Sequence, residues 1–452
     1  MVSCHIHALP YFADPTIYFS LIRHASGAIL LDSGRPTSQR GRYDLMSAWP
    51  TTHLQPTHSE SLTSFADRLR SALRQLGPAE LSPSLPFAGG LIGYFSYDLA
   101  RRNFRLEHPP ADNLKLPHAG IGLYNWSLTS DHIERTSQLV FHPAASQEEQ
   151  DRIIKVFESA IPQRRQSQAF TLSKKFTKDI DYDDYEKALS KIRDYIHAGD
   201  CYQVNFTQRF QTECSGDTWT AYKTLRNSCA TPFGGFVSLD AANSIMSFSP
   251  ERFIRCQQRS LETRPIKGTI PRGRTKSEDT SNAQALLNSP KDRAENLMIV
   301  DLLRNDLGKN CRYGSVTVPE LFTIESYPNV HHLVSTIRGE IAAGKDVFDV
   351  LMDAFPGGSI TGAPKLRSMQ IIDELEASQR GIYCGSLLYI DVRGDMDSSI
   401  AIRTLLAKDG LLSCWGGGGI VADSEPGSEY QESLTKVRNL MHCLEQHFFM
   451  RD

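Results

Sequence analysis

A chain of 452 residues, 40% hydrophobic and 22% charged, holds enough apolar material for a large core, in two or three domains or one unusually large one. Its 49 basic and 52 acidic side chains leave a formal charge of −3, which gives no global field for nucleic acid or an anionic membrane and favours small-molecule chemistry. No stretch approaches the roughly 18 apolar residues that span a bilayer. Residues 1–12 interleave His5, His7 and Pro10 where an export signal would be apolar, so a cytoplasmic protein is expected.

In chain order, residues 17–22 and 28–31 read as strands, 62–76 has helical apolar spacing, and 89–97 is a Gly- and aromatic-rich strand. A Pro-rich loop covers 108–117, and the polar stretch 163–178 reads as a connection between an N-terminal subdomain, 1–162, and a larger region, 179–452. Beyond it, a helix ends near Gly199, strands are expected at 204–210, 235–239 and 411–415, and helices at 290–307, 364–375 and 428–447. Many strands without a regular crossover helix argue for an α+β protein with large antiparallel sheets and helices outside them. The polar segment 271–290 reads as either a mobile flap or an ordinary surface loop. Nine scattered cysteines without a C-x-x-C pair suggest neither a disulfide framework nor a zinc ribbon, but reduced, buried thiols.

Two predicted helices carry carboxylates at i, i+3 spacing, Asp292 with Glu295 and Glu429 with Glu432, so each pair projects from one face. Ser289 and Pro290 are good helix starters, and acidic residues beside a helix N-terminus have a purely structural reason to be there. Brought together, four hard oxygens would suit Mg²⁺. Lys436 follows Glu432 at i, i+4, either as a helix ion pair or as a cation beside a bound carboxylate.

Two Gly clusters, PGGSITGAPK and CWGGGGIVADS, are not nucleotide loops: Ala363 stands where a Walker loop needs Lys. Four adjacent glycines form either a tight turn or a run of approachable N–H groups for an anion, and Gly362-Ala-Pro opens a helix whose N-terminus could face one. Lys267 in RPIKGT follows an apolar Ile and precedes Gly268, which permits close approach. As a nucleophile it would need its pKa lowered by burial or by a cation such as Arg264 or Lys436; otherwise it is a snorkelling strand Lys. Glu251 in SPERF is a candidate acid or base, or an edge-strand carboxylate, and His332 in HHLVS is a catalyst or a packed ring.

In this order, SPERF, RPIKGT, KDRAENLMIVDLLRNDLG, HHLVST, FPGGSITGAPK, IRT and GGGGIVADS resemble the chorismate-utilising enzymes, which include anthranilate synthase component I, isochorismate synthases and salicylate synthases. The likeness covers residues 180–445 and implies the ADC-synthase-like α+β fold, two large antiparallel sheets packed together with helices outside. Lys267 resembles the members that aminate chorismate at carbon 4 on the route to 4-aminobenzoate, since anthranilate synthases carry Ala in the matching P-I-A-G-T. Gln203 separates the chain from isochorismate and salicylate synthases, which have a water-activating Lys there.

The resemblance also implies roles. Glu295 and Glu432 would hold Mg²⁺, with Asp292 and Glu429 behind them, against the ring carboxylate of chorismate. Arg403, Tyr383, Thr269 and the N–H groups of Gly417, Gly418 and Gly419 would hold the enolpyruvyl carboxylate, with Gly268 and Lys436 beside the substrate. Lys267 would attack ring carbon 2 while Glu251 protonates the departing 4-hydroxyl, and ammonia would then expel the lysine; His332 matches a family His near the ring.

With no glutaminase Cys in a nucleophile-elbow setting, a separate glutamine amidotransferase subunit is implied as the ammonia source. LLDSGRPTSQRGRYDLM and TPFGGF resemble segments of a tryptophan pocket, lined here by Ser33, Arg42, Tyr43, Pro232 and Phe233, or else a plain core joining the sheets; Gly41 and Gly234 stand where relatives tend to have Ser. The competing functions are anthranilate synthesis and a catalytically idle amino-acid-binding module.

Overall fold

The computed structural model describes residues 2–38, 40–104, 106, 110–158, 169–327 and 330–450. Two antiparallel sheets face each other, as the irregular order of elements predicts. The larger runs from Thr171–Leu172 through Gln203–Ser215, Leu411–Ile420, Thr404–Lys408, Ser244–Ser249, Phe233–Ser238, Ile29–Asp32, Tyr43–Ser47, Trp126–Asp131 and Thr136–Phe141 to His5–Leu9. The smaller runs from Ile266–Pro271 through Val330–Glu340, Ser260–Thr263, Arg252–Gln257, Met396–Ser399, Ser386–Asp391, Gly90–Phe95 and Ala119–Tyr124 to Thr52–Leu54. Thr317–Ser326 also pairs with Val330–Glu340.

Strand alternation feeds two large cores, with a third, smaller cluster around Val204, Phe206 and Ile420. In the larger sheet Ile29, Leu45, Val237, Ile245 and Leu406 point into the layer between the sheets, while their neighbours Leu30, Met46, Phe236, Met246 and Leu405 point outward. The outward set is covered by the helices Thr16–Ile22, Gln147–Glu158, Thr218–Ser228 and Pro426–Phe448, through residues such as Phe19, Ile153, Trp219 and Leu440. Leu62–Leu76, Pro290–Gly308 and Val347–Ala354 bury Phe65, Ile299 and Leu351 in the core of the smaller sheet. Strands buried on both faces lose the apolar–polar alternation that would mark them in sequence.

Segments on either side of residue 170 pair within the same sheets. Leu30 lies opposite Phe236 in the larger sheet, and Tyr94 opposite Leu387 in the smaller. The first part of the predicted connection, up to residue 168, lies outside the described residues; its remainder forms the short strands Thr171–Leu172 and Thr177–Lys178 against Gln203–Ser215.

The helix at Leu62–Leu76 stands where its spacing predicts, started by the Ser61 hydroxyl accepting from the Ser64 N–H at 3.1 Å and stopped at Gly77. Two expectations are corrected. Residues 17–22 are helical, not extended: Thr16, Phe19 and Ile22 recur at three-residue spacing and are buried, which outweighs the strand preference of so short an apolar run. Residues 271–290 are neither flap nor loop over most of their length but the helix Lys276–Asn288, capped by Thr275 and tied at Asp279 to Arg272 at 2.7 Å and to His331 at 3.0 Å.

Candidate functional site

The strand Ile266–Pro271, the first turns of Pro290–Gly308, the short turn Gly358–Ile360, the glycine end of Leu411–Ile420 and the helix Pro426–Phe448 converge on one cleft. At about 2060 Å³ it exceeds a typical small-molecule pocket.

At its centre stands Lys267, with Nζ 3.0 Å from Glu295 Oε1 and donating to the Ser359 carbonyl at 3.3 Å. Burial disfavours its charge, but Glu295, Glu251 and Glu432 outweigh burial and raise its pKa. The cations expected to lower it are turned elsewhere: Arg264 pairs with Glu325 at 2.5 Å, and Lys436 with Glu432 at 2.7 Å. Lys267 is therefore an ammonium in this structure. Glu251 is buried and accepts from Ser359 Oγ at 2.9 Å. Burial lifts its carboxyl to about 7, against the opposing pull of Lys267, Ser359 and Lys436. His332 is a neutral ring: burial, with Arg403 and Arg40 nearby, lowers it to about 4, and Nδ1 shares a hydrogen bond with Thr269 Oγ1 at 2.8 Å.

Both acidic pairs border the glycine strand or Gly268 beside it, which no spacing in the sequence could show. A Cβ at Gly418 would stand 3.2 Å from Glu429 Oε2 and 3.4 Å from Glu432 Oε1, and one at Gly419 would stand 3.2 Å from Glu295 Oε1. Asp292 lies across Gly268, whose φ of 81° belongs to glycine and whose Cβ would be 2.8 Å from Oδ1. Burial raises Glu429, which accepts from Ser424 Oγ at 2.7 Å; burial also pushes Glu295 up, but Lys267 and Lys436 bring it below its ordinary value. Among the described residues no three of these groups already close on one point as a metal cage. Glu295 and Glu432 instead turn to the two lysines. The all-oxygen donor set, open toward the cleft, nevertheless fits a cation that keeps waters and takes ligands from a substrate.

The glycine run is neither a turn nor a nucleotide loop but part of the strand Leu411–Ile420. Pairing with Thr404–Lys408 stops at Cys414, leaving the far edge of the glycines without a strand partner among the described residues. Lys436 Nζ reaches the Gly417 carbonyl at 2.9 Å on that edge, and in antiparallel pairing a residue's N–H points the same way as its carbonyl. Arg403 lines the same cleft with φ of 50°, its side chain lacking any carboxylate partner among the described residues; burial lowers its pKa. Tyr383, also in the cleft wall, stacks on Trp415 at 5.8 Å. A sheltered guanidinium without a counter-ion, beside an open strand edge, is suited to a carboxylate.

At the N-terminal segment, Ser33, Tyr43 and Phe233 lie at one end of three neighbouring strands. Ser33 Oγ is buried without a hydrogen-bond partner among the described residues, and a Cβ at Gly41 would fall 2.2 Å from Ser33 Cβ. Arg42 lies over Tyr43 and bonds Asp131 at 2.8 Å, Phe233 packs under Arg252, and of the five residues only Pro232 borders the catalytic cleft.

Sequence reasoning missed Ser359, which touches both Glu251 and Lys267. Its signal was present in FPGGSITGAPK, a segment read only for its glycines.

Residues 27–442 match the family of chorismate binding enzymes, and the chain belongs to it. It is 44% identical to aminodeoxychorismate synthase component 1 of Klebsiella aerogenes, over 98% of this chain and 100% of that one. The protein of the same name from Escherichia coli strain K12 is 43% identical, over 95% and 96%. Anthranilate synthase component 1 of Acetivibrio thermocellus is 37% identical over 80% of this chain and 77% of its own length. The fold matches the crystal structure of anthranilate synthase component I from Streptococcus pneumoniae TIGR4 with a TM-score of 0.79 at 29% identity, over 89% of this chain and 93% of that one.

Proposed function

We propose that this chain converts chorismate and ammonia to 4-amino-4-deoxychorismate and water, working in the cytoplasm with a separate glutamine amidotransferase subunit as its ammonia source. The observation that carries this reading is Lys267 itself, an amine buried in the cleft and linked through Ser359 to a carboxylic acid titrating near neutrality. Transfer of one proton from Lys267 Nζ to Glu251 makes both a neutral nucleophile and a general acid. The amine then bonds to ring carbon 2 as the ring double bond shifts and the 4-hydroxyl leaves with the proton of Glu251. Ammonia adds at carbon 4, the electron pair returns, and Lys267 leaves as an amine.

Arg403, Tyr383, Thr269 and the edge of Gly417–Gly419 hold the enolpyruvyl carboxylate, while the neutral His332 keeps Thr269 oriented. Mg²⁺ would be held by Glu295 and Glu432, with Asp292 and Glu429 behind them, and would neutralise the ring carboxylate. The similarity to aminodeoxychorismate synthase component 1 over nearly the whole chain supports the reading.

Incubation with chorismate, Mg²⁺ and ammonium at alkaline pH, followed by an aminodeoxychorismate lyase, tests it. Lyase-dependent 4-aminobenzoate is the expected product; fluorescent anthranilate without lyase would overturn the assignment. The second ligand proposed, L-tryptophan at Ser33, Arg42, Tyr43, Pro232 and Phe233, is supported by the Ser33 hydroxyl, buried without a partner among the described residues, and is tested by a rise in Tm with tryptophan that Ser33→Ala abolishes.

A further inference from the structure

We infer that Ser359 is the positioning residue that couples Glu251 to Lys267, an assignment resting on the function proposed above. Its side chain and its main chain are used on opposite partners. Oγ donates to Glu251 Oε1 at 2.9 Å, and the carbonyl oxygen of the same residue accepts from Lys267 Nζ at 3.3 Å. One buried residue thus fixes the acid and the amine relative to each other.

The turn that presents Ser359 is held rigidly. Behind it, the Ile360 carbonyl accepts from Asn205 Nδ2 at 3.1 Å and from Arg380 Nη1 at 2.9 Å, and Arg380 is fixed by Glu376 at 2.7 Å. Thr361 Oγ1 closes back on the Gly357 carbonyl at 3.1 Å. In front, Gly358 packs so closely on Leu302 that a Cβ would fall 2.6 Å from its Cδ2. Strand, buried arginine and helix all restrain three residues, which is the support a reacting pair needs.

Donor direction sets the chemistry. A hydroxyl donating to Glu251 favours the carboxylate, and a carbonyl facing Lys267 favours the ammonium, so Ser359 stabilises the resting charge pair. After one proton moves between them, the hydroxyl goes on donating to Oε1, which leaves the proton on the other oxygen of Glu251 free for the leaving group. Lys267 on the strand Ile266–Pro271 and Lys436 on the helix Pro426–Phe448 are the charged groups that face Glu251, together with the Ile266 N–H.

The test uses the full chain with chorismate, Mg²⁺ and ammonium, comparing Ser359→Ala and Ser359→Thr. Loss of one hydrogen bond is worth roughly tenfold in rate. Ser359→Ala is expected to lower kcat about tenfold or more, to leave KM for chorismate within about twofold, and to shift the acidic limb of the kcat profile upward, because the carboxylate has lost a donor and takes up its inactivating proton at higher pH. Ser359→Thr, which keeps the hydroxyl, is expected to recover most of kcat and the wild-type limb. Should the alanine variant not fold, Ser359→Val against Ser359→Thr decides, since the two have nearly the same shape and only one donates. A wild-type kcat and pH limb in Ser359→Ala, or equal losses in the Thr and Val variants, would overturn the inference. Absence of any 4-aminated product from the unmodified protein would overturn the proposed function instead.

Discussion

Burial disfavours the charged form of both Glu251 and Lys267 but prevails only at Glu251, and this separates their predicted variants. Glu251 titrates near 7 when folded and near its ordinary 4.5 when unfolded. The folded chain therefore binds a proton that the unfolded chain has released between those values, and stability contributed at low pH is lost as pH rises through about 7. Glu251→Gln removes that dependence: its Tm should exceed that of the unmodified protein at pH 8, by up to about 3 kcal/mol of stability, and the advantage should vanish near pH 4. The same variant should lose roughly 10²–10⁴-fold in 4-amination. Lys267→Ala should lose most of that rate while still folding, as measured by product separation alongside circular dichroism. Arg403→Ala should lower kcat/KM for chorismate by an amount equivalent to about 2–4 kcal/mol, because a sheltered carboxylate would lose a buried guanidinium. Lys267 and Glu251 could be singled out from sequence as candidate chemistry; their charge states could not, since that of Glu251 depends on burial and that of Lys267 on carboxylates from two distant helices.

Among elements, the glycine strand and the C-terminal helix depend on each other. A Cβ at Gly416 would come within 2.1 Å of the Ser433 carbonyl, so Gly416→Ala must push away the helix that bears Glu429 and Glu432. A loss of about 1–3 kcal/mol in stability is expected, with a weaker Mg²⁺ dependence of activity, checked by melting and by metal titration. Of the two readings the sequence allowed for the run, the tight turn fails: close approach of another backbone at Gly416 and Gly417 and of side chains at Gly418 and Gly419, not chain reversal, calls for glycine. The helix Lys276–Asn288 escaped detection for a different reason. It buries only Leu286, so it carries no apolar period, and its start rests on Thr275, whose hydroxyl accepts from Glu278 N–H at 3.2 Å. Conversely, Leu62–Leu76 has five buried positions at helical spacing and was legible to the residue.

For the whole molecule, the two sheets are continuous across the chain, and a fragment of residues 179–452 would expose the pairing edges of Phe233–Ser238 and Ser386–Asp391. Such edges recruit other strands. The fragment is expected to aggregate or to melt without a cooperative transition, whereas soluble, cooperative folding of residues 179–452 would show that the strands supplied by the first third are dispensable. The cleft lies where elements distant in sequence meet, so its acid, amine, carboxylates and guanidinium come from separate stretches between Glu251 and Lys436.

What the sequence by itself determined was the set of chemical groups and the class of fold: ordered motifs, acidic pairs at i, i+3, one Lys in an apolar strand, and too many strands for a regular α/β march. Side-chain type and local spacing are properties of the chain and survive without a structure. Only the tertiary structure decided that Glu295, Glu429 and Glu432 border adjacent glycines, that Arg403 has no carboxylate partner among the described residues, that Lys267 is charged, and that Ser359 stands between acid and amine. Those facts arise from distances between residues far apart in the chain, and electrostatic and hydrogen-bond energies depend on distance and burial, not on order.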